Sequence, residues 1–300
     1  MSSTIKGIVA YPITPFDRDT GAFDPKPLHT LLDSMISNGV DAIAPLGSTG
    51  ESAYLDDAEW ETVARETVDY VDRRVPTVVG VSDLTTAGAL RRASIAADAG
   101  ADAMMILPTS YWHLGEQEIR EHVTAVADSV DIPTMIYNNP ATTGIDMSPE
   151  FLVDLVSTVD GITMIKESTG DITRMNRINE LGGGTIPFFN GSNPLALQSF
   201  SAGASGWCTA APCLAPEQVV HFWRLLEAGD RSGAGAVFEQ IEPLLKVLVS
   251  RGLPSTVKAG LEFLGVDAGL PRRPLLPLDD GTRTALSDAL SVARGVIVAS

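Results

Sequence analysis

What most constrains this chain is a repeated alternation. Eight short apolar, β-branched runs are separated by longer segments with helical spacing. The runs are GIVAYPIT (7–14), DAIAPLG (41–47), TVVGVS (77–82), DAMMILP (102–108), TMIYNN (134–139), ITMIKES (162–168), IPFFNG (186–191) and GWCTA (206–210). Helical spacing fills 25–39, 56–73, 86–100, 116–130, 148–159 and 193–203. Several of these segments close on a glycine just past the last apolar position, as helix C-termini favour. Near-continuous hydrophobicity within a run suits a parallel strand covered on both faces. Eight such units at intervals of roughly 20 to 35 residues predict a (β/α)8 barrel. An open doubly wound sheet requires a glycine-rich dinucleotide turn after its first strand, and YPITPFD is not one.

The helical pattern continues past the eighth run, in PEQVVHFWRLLEAG, AGAVFEQIEPLLKVLVSRG and PSTVKAGLEFLG, followed by a proline-rich turn over 269–281. That exceeds what a barrel needs, so a catalytic barrel over 1–225 and a C-terminal helical subdomain over 226–300 are expected. Net charge is −17, which argues against nucleic acid or an anionic membrane surface as partner. No apolar run reaches the roughly 18 residues of a membrane span. The start, MSSTIKGIVAYPITPFD, lacks the pattern of a secretory leader, and a cytoplasmic location is expected. Cys208 and Cys213 lie five apart with no third or fourth ligand nearby, so they suggest neither a disulfide framework nor a zinc site and read as reduced thiols.

In a barrel, chemistry sits at the C-terminal strand ends. Those ends carry Thr14, Ser48 and Thr49, Ser82, Tyr111, Tyr137 and Asn138, Lys166 and Glu167, Gly191 and Thr209. All four histidines, His29, His113, His122 and His221, fall in helical or loop stretches, so a metal site or a histidine triad lacks its parts. In GSTGE (47–51), glycines flank two hydroxyls in a segment that follows a strand and opens toward a helix. Such a turn can face an anion such as a carboxylate, or can be a plain strand–helix turn. Lys166 ends an apolar strand, where an unpaired ammonium costs several kcal/mol. It is either paired with a carboxylate such as Glu167 or employed as a nucleophile that attacks a ketone to form a Schiff base. Tyr137, one strand earlier, is either a rim aromatic or a proton relay.

GSTGES, YNNP, IKESTGD and NGSN, in this order, resemble the dihydrodipicolinate synthase/N-acetylneuraminate lyase family. The likeness runs over about 7–265 and includes GLPSTVKAGLEFLG. The resemblance implies a class I aldolase-type lyase that needs no metal or cofactor and assembles as a homotetramer, a dimer of dimers. It implies that Lys166 forms a Schiff base with pyruvate or another 2-oxo acid, and that Tyr137 shuttles protons. Ser48 and Thr49 then bind the pyruvyl carboxylate and feed the relay, and Gly191 lies beside the substrate. Tyr111 in PTSYW matches the relay tyrosine that reaches in from a neighbouring subunit, one residue further from Pro108 than the family pattern has it. Cys208 in GWCTAAP joins the substrate-binding candidates, and Trp207 either narrows that side or is a packed rim residue.

The departures bear on substrate choice. Thr142 stands where the synthases carry an arginine that grips the aldehyde's carboxylate. Asn193 and Pro194 stand where sialic acid lyases carry acidic residues, and Asp57, Trp60 and Leu84 replace the lysine-feedback residues. The expected activity is therefore an aldolase or dehydratase of a small 2-keto or 2-keto-3-deoxy acid. 4-Hydroxy-tetrahydrodipicolinate synthesis from pyruvate and aspartate semialdehyde is the alternative. A non-catalytic 2-oxo-acid binder is a distant third, since it has no reason to keep both Lys166 and Tyr137.

Overall fold

The computed structural model describes residues 5–295. All eight expected strands form: β1 (Gly7–Ala10), β2 (Ala42–Ile43), β3 (Val78–Gly80), β4 (Ala103–Ile106), β5 (Thr134–Asn138), β6 (Ile162–Glu167), β7 (Phe188–Asn190) and β8 (Gly206–Thr209). They belong to one sheet in the order β2-β1-β8-β7-β6-β5-β4-β3. With helices between the strands and further helices after them, this is the (β/α)8 barrel topology with a C-terminal helical part. The strands are shorter than the apolar runs because each run continues into a buried loop: Leu46 and Leu107, for example, lie beyond their strands yet stay inside.

Two compact units divide the chain, one spanning Pro76–Cys208 and the other combining Gly7–Val75 with the chain from Thr209 on. The first holds β3 to β7 and most of β8. Met104, Met105, Ile136, Ile165, Phe188 and Phe189 fill its interior at 1% exposure or less. Burying one such side chain stabilises by roughly 1.5–3 kcal/mol. Past a register shift at Thr134/Met135, the parallel pairing of β5 and β6 sets Tyr137 opposite Lys166 and Asn138 opposite Glu167. The helix Pro149–Thr158 starts where Ser148 accepts from Phe151 N and a proline occupies its first turn. A helix over Ile172–Leu181 has only Met175 and Ile178 buried, which is why its apolar spacing is faint in the sequence.

In the second unit β1 and β2 pair in parallel, Val9 opposite Ala42. Helix Asp57–Val71 begins in a capping box in which Asp56 and Glu59 satisfy each other's backbone N–H groups. The helices Pro216–Glu227, Arg231–Ser250, Leu253–Phe263 and Asp280–Arg294 pack around Phe238, Ile241, Leu244, Leu248, Leu286 and Leu290.

Candidate active site

Lys166 is the fifth residue of β6 and is 5% exposed. Strand alternation turns it to the face opposite Ile165 and Glu167. Its Nζ lies 3.8 Å from the centroid of the Tyr137 ring, itself 5% exposed. A desolvated amine on an aromatic face is held by the ring quadrupole, worth about 2 kcal/mol when the group is charged.

Glu167 is fully buried on the other face, and its oxygens are engaged there. Oε1 accepts from Thr169 N at 2.6 Å, and Oε2 accepts from Asn138 Nδ2 at 3.2 Å. Arg174 Nε lies 3.5 Å from Oε2 and supplies the compensating charge. Glu167 thus has an arginine as its ion-pair partner. Asn138 spends its whole amide in the same place, donating also to Asp146 Oδ1 and accepting from Met147 N. These bonds fasten the 139–147 segment to the end of β5.

Three neighbours complete this cluster. Gly191 N donates to Glu167 O at 2.8 Å, which brings the Gly191 backbone against β6. A Cβ on Gly191 would stand 1.8 Å from Ser168 Oγ and 2.9 Å from Lys166 Cε, so a side chain there requires Ser168 and the Lys166 stem to shift. Ser168 Oγ is buried and finds no hydrogen-bond partner among the described residues. Asn139 Nδ2 donates to Tyr137 Oη at 2.7 Å. Sequence reasoning missed Ser168 and Asn139 as site residues; their positions beside the YN and IKE motifs were the available signal.

Three other expected residues of this unit stand apart from the cluster in character. Thr142 is exposed on the short helix Pro140–Thr143, its N–H bonded to Asn139 O. Tyr111 is 94% exposed on the segment after β4, edge-on to Trp112. Cys208 is a buried thiol in β8, and Trp207 beside it is fully buried, as a packed rim residue would be.

In the second unit, Ser48 is exposed and Thr49 is 3% exposed, on the segment after β2. The segment leads into a single 3-10 turn, Ser52–Tyr54, and the helix begins only at Asp57. Its ends are strained: Leu46 and Glu51 adopt left-handed backbone, φ 60° and 58°. Such residues cost of order 1–3 kcal/mol each and persist only where the surroundings hold them. Thr14 Oγ1 donates to Gly50 O, and the Glu51 carboxylate forms a buried ion pair with Lys258 at 2.7 Å. Arg272 N donates to the second Glu51 oxygen at 2.5 Å, while the Arg272 guanidinium grips Glu59. Lys258 Nζ and the Arg272 guanidinium both lie on the Phe16 ring, at 4.0 and 4.1 Å. Burial pushes the Lys258 ammonium down to about 8, against the opposing pull of Glu51.

Among the described residues no group of three or more His, Cys, Asp or Glu side chains is placed to hold a metal, and no helix is long and apolar enough to cross a membrane.

The dihydrodipicolinate synthetase family profile matches residues 4–293. The chain belongs to that family. It is accordingly an enzyme of the lyase class, with an aldolase-like function. A 4-hydroxy-tetrahydrodipicolinate synthase of Methanoculleus marisnigri is 34% identical over 95% of this chain and 98% of its own. A solved Pseudomonas aeruginosa structure, named as a candidate dihydrodipicolinate synthetase, is 49% identical with a TM-score of 0.94, covering 97% of this chain and 100% of that one. A third family member, from E. coli K12 and solved in complex with pyruvate, is 26% identical with a TM-score of 0.92, covering 97% and 99%.

Proposed function

We propose that this lyase forms a Schiff base between Lys166 and pyruvate or a related small 2-oxo acid. It then makes or breaks a carbon–carbon bond beside the imine, or eliminates water from a 2-keto-3-deoxy acid. The observation that carries the reading is the amine of Lys166, buried at the end of β6 and held on the face of Tyr137. In this reading Lys166 attacks the ketone carbon, and Tyr137 gives and takes the protons of the carbinolamine. Ser48 and Thr49 bind the 2-oxo acid's carboxylate. Gly191 leaves room beside the amine, and Ser168 offers a hydroxyl with unused hydrogen-bonding capacity. The pyruvate bound to the E. coli relative supports the first substrate.

The enzyme works as a cytoplasmic homotetramer in which Tyr111 serves a neighbouring subunit, which accounts for a tyrosine 94% exposed in the single chain. A second reading, condensation of pyruvate with aspartate semialdehyde, draws on the names of the curated relatives. Thr142 speaks against it, because a neutral hydroxyl cannot replace a bidentate guanidinium on a carboxylate.

Borohydride reduction in the presence of pyruvate, followed by peptide mass mapping, tests the central step. A reduced pyruvyl adduct on the Lys166 peptide is expected, and its absence overturns the mechanism. A panel of aspartate semialdehyde with pyruvate, N-acetylneuraminate and 2-keto-3-deoxy sugar acids then separates the substrate readings.

A further inference from the structure

Asn139 follows the last residue of β5 and precedes Pro140. The proline ring bars Asn139 from the helical region, and Asn139 sits at φ −151° and ψ 79°. Its carbonyl accepts from Thr142 N and Thr143 N at 3.1 and 3.2 Å, and the Asn138 amide anchors the segment on the other side. The Asn139 side chain thus leaves a fixed backbone, two residues along from Tyr137. From there Nδ2 reaches Tyr137 Oη at 2.7 Å.

A phenol has one proton to give and lone pairs to accept with. Where an amide N–H occupies one lone pair, the phenol's own proton is left for another partner. The phenolate formed when that proton departs keeps a donor, and hydrogen bonds to ionised oxygen are the stronger ones. With the amide turned over, Oδ1 would instead claim the phenol proton and withhold it.

We infer that Asn139 is a positioning residue whose amide N–H, held on Tyr137 Oη, directs the tyrosine's proton to the substrate and stabilises the phenolate left behind. The inference rests on the reading of Tyr137 as the acid–base group. In the step concerned, the Lys166 amine adds to the ketone and Tyr137 protonates the departing hydroxyl. Water leaves as the iminium forms, and the Tyr137 phenolate regains its proton by taking one from C3 of the iminium, which gives the enamine.

Pyruvate alone is a sufficient probe. In D2O, reversible loss of a C3 proton from the imine to give the enamine exchanges the methyl hydrogens for deuterium, followed by NMR. Borohydride trapping reports how much imine has accumulated. Asn139→Ala should slow exchange about 10-fold while trapped imine stays within about 2-fold of native, because one donor to a charged oxygen is lost and Lys166 is untouched. Asn139→Asp, the same shape with an acceptor in place of the donor, should be slower again, about 100-fold below native. Asn139→Gln, which keeps a donor, should recover part of the rate.

A role in packing alone predicts the opposite order, with Asp milder than Ala. That order, native-like exchange in both, or equal loss of exchange and trapping overturns the inference. Tyr137→Phe keeps the two readings apart. If it exchanges at the native rate, the acid–base reading itself fails. If it is slow while Asn139→Ala is native-like, only the role of Asn139 fails.

Discussion

Gly191 lies against Lys166: a Cβ built on the glycine would stand 2.9 Å from Lys166 Cε and 1.8 Å from Ser168 Oγ. The Gly191 backbone cannot retreat cheaply, because its N–H is bonded to Glu167 O. Gly191→Ala should therefore displace the Ser168 hydroxyl and push the lysine stem. Misplacing a reacting group by about 1 Å costs on the order of 10²-fold in rate, and overpacking costs about 1–3 kcal/mol. Timed borohydride trapping with pyruvate should show imine formation slowed by at least about 10-fold, with a modest drop in melting temperature. Adding Ser168→Gly to Gly191→Ala should restore part of the rate. A single variant that traps at the native rate would show that the contact yields without consequence.

A pH dependence follows from the Glu51–Lys258 pair. Burial lowers the Lys258 pKa from 10.5 to about 8, so the folded chain holds that proton less tightly than the unfolded chain does. Between these values the unfolded state binds more protons, and stability rises with pH. The gain is absent below about pH 8 and complete above about 10.5. By pH 10 it amounts to something on the order of 2 kcal/mol. The reference is the Glu51→Gln/Lys258→Met double variant, which titrates at neither position. Urea unfolding at pH 7 and pH 10 should show native stability improving against that variant by this amount, and an unchanged difference would refute the shift. Lys258→Met alone leaves a buried carboxylate without its ion-pair partner and should lose about 3–5 kcal/mol at pH 7.

How far the sequence carried these features depends on the range of the interactions. Strands buried on both faces write themselves as unbroken apolar runs, so β1 to β8 were legible. So were Lys166 and Tyr137, since polar groups ending such runs stand out locally. Glu51 and Lys258 sit in unrelated stretches and meet only through the fold, so no local spacing announces them. Asn139 and Ser168 were in view, inside the quoted motifs. Their importance is geometric, residing in one amide–phenol bond and one hydroxyl beside Gly191. The helix Ile172–Leu181 buries too few side chains to leave a clear stripe.

Thr142 offers a gain-of-function test. It is exposed on the turn between Asn139 and Gly144, where an arginine side chain has room. A charge-assisted pair with a carboxylate contributes roughly 1.5–3 kcal/mol. Thr142→Arg should therefore raise kcat/KM for condensation of pyruvate with aspartate semialdehyde by about 10-fold or more, and leave pyruvate trapping unchanged. If the native chain already condenses aspartate semialdehyde at an ordinary enzymatic rate, the objection from Thr142 falls.

Tyr111 gives the last prediction. At 94% exposure it is not packed into its own unit, and Trp112 and Leu84 beyond it are 78% and 71% exposed. Tyr111 and Trp112, edge-on to each other and bare, have the character of an interaction surface. If that surface seats a second copy and carries Tyr111 to its neighbour's Lys166, activity can be split between subunits. On the proposed roles, Tyr111→Phe lacks the relay hydroxyl and Lys166→Met the nucleophile, and each alone should exchange pyruvate protons at least about 10-fold more slowly than native. Unfolded together and refolded as a mixture, they should regain exchange, because a Lys166 from one variant can then face a Tyr111 from the other. Trp112→Ser should weaken that assembly, moving the chain toward smaller species in sedimentation and reducing the recovery. Recovery that never exceeds the average of the separate variants would return Tyr111 to its own subunit or to the surface alone.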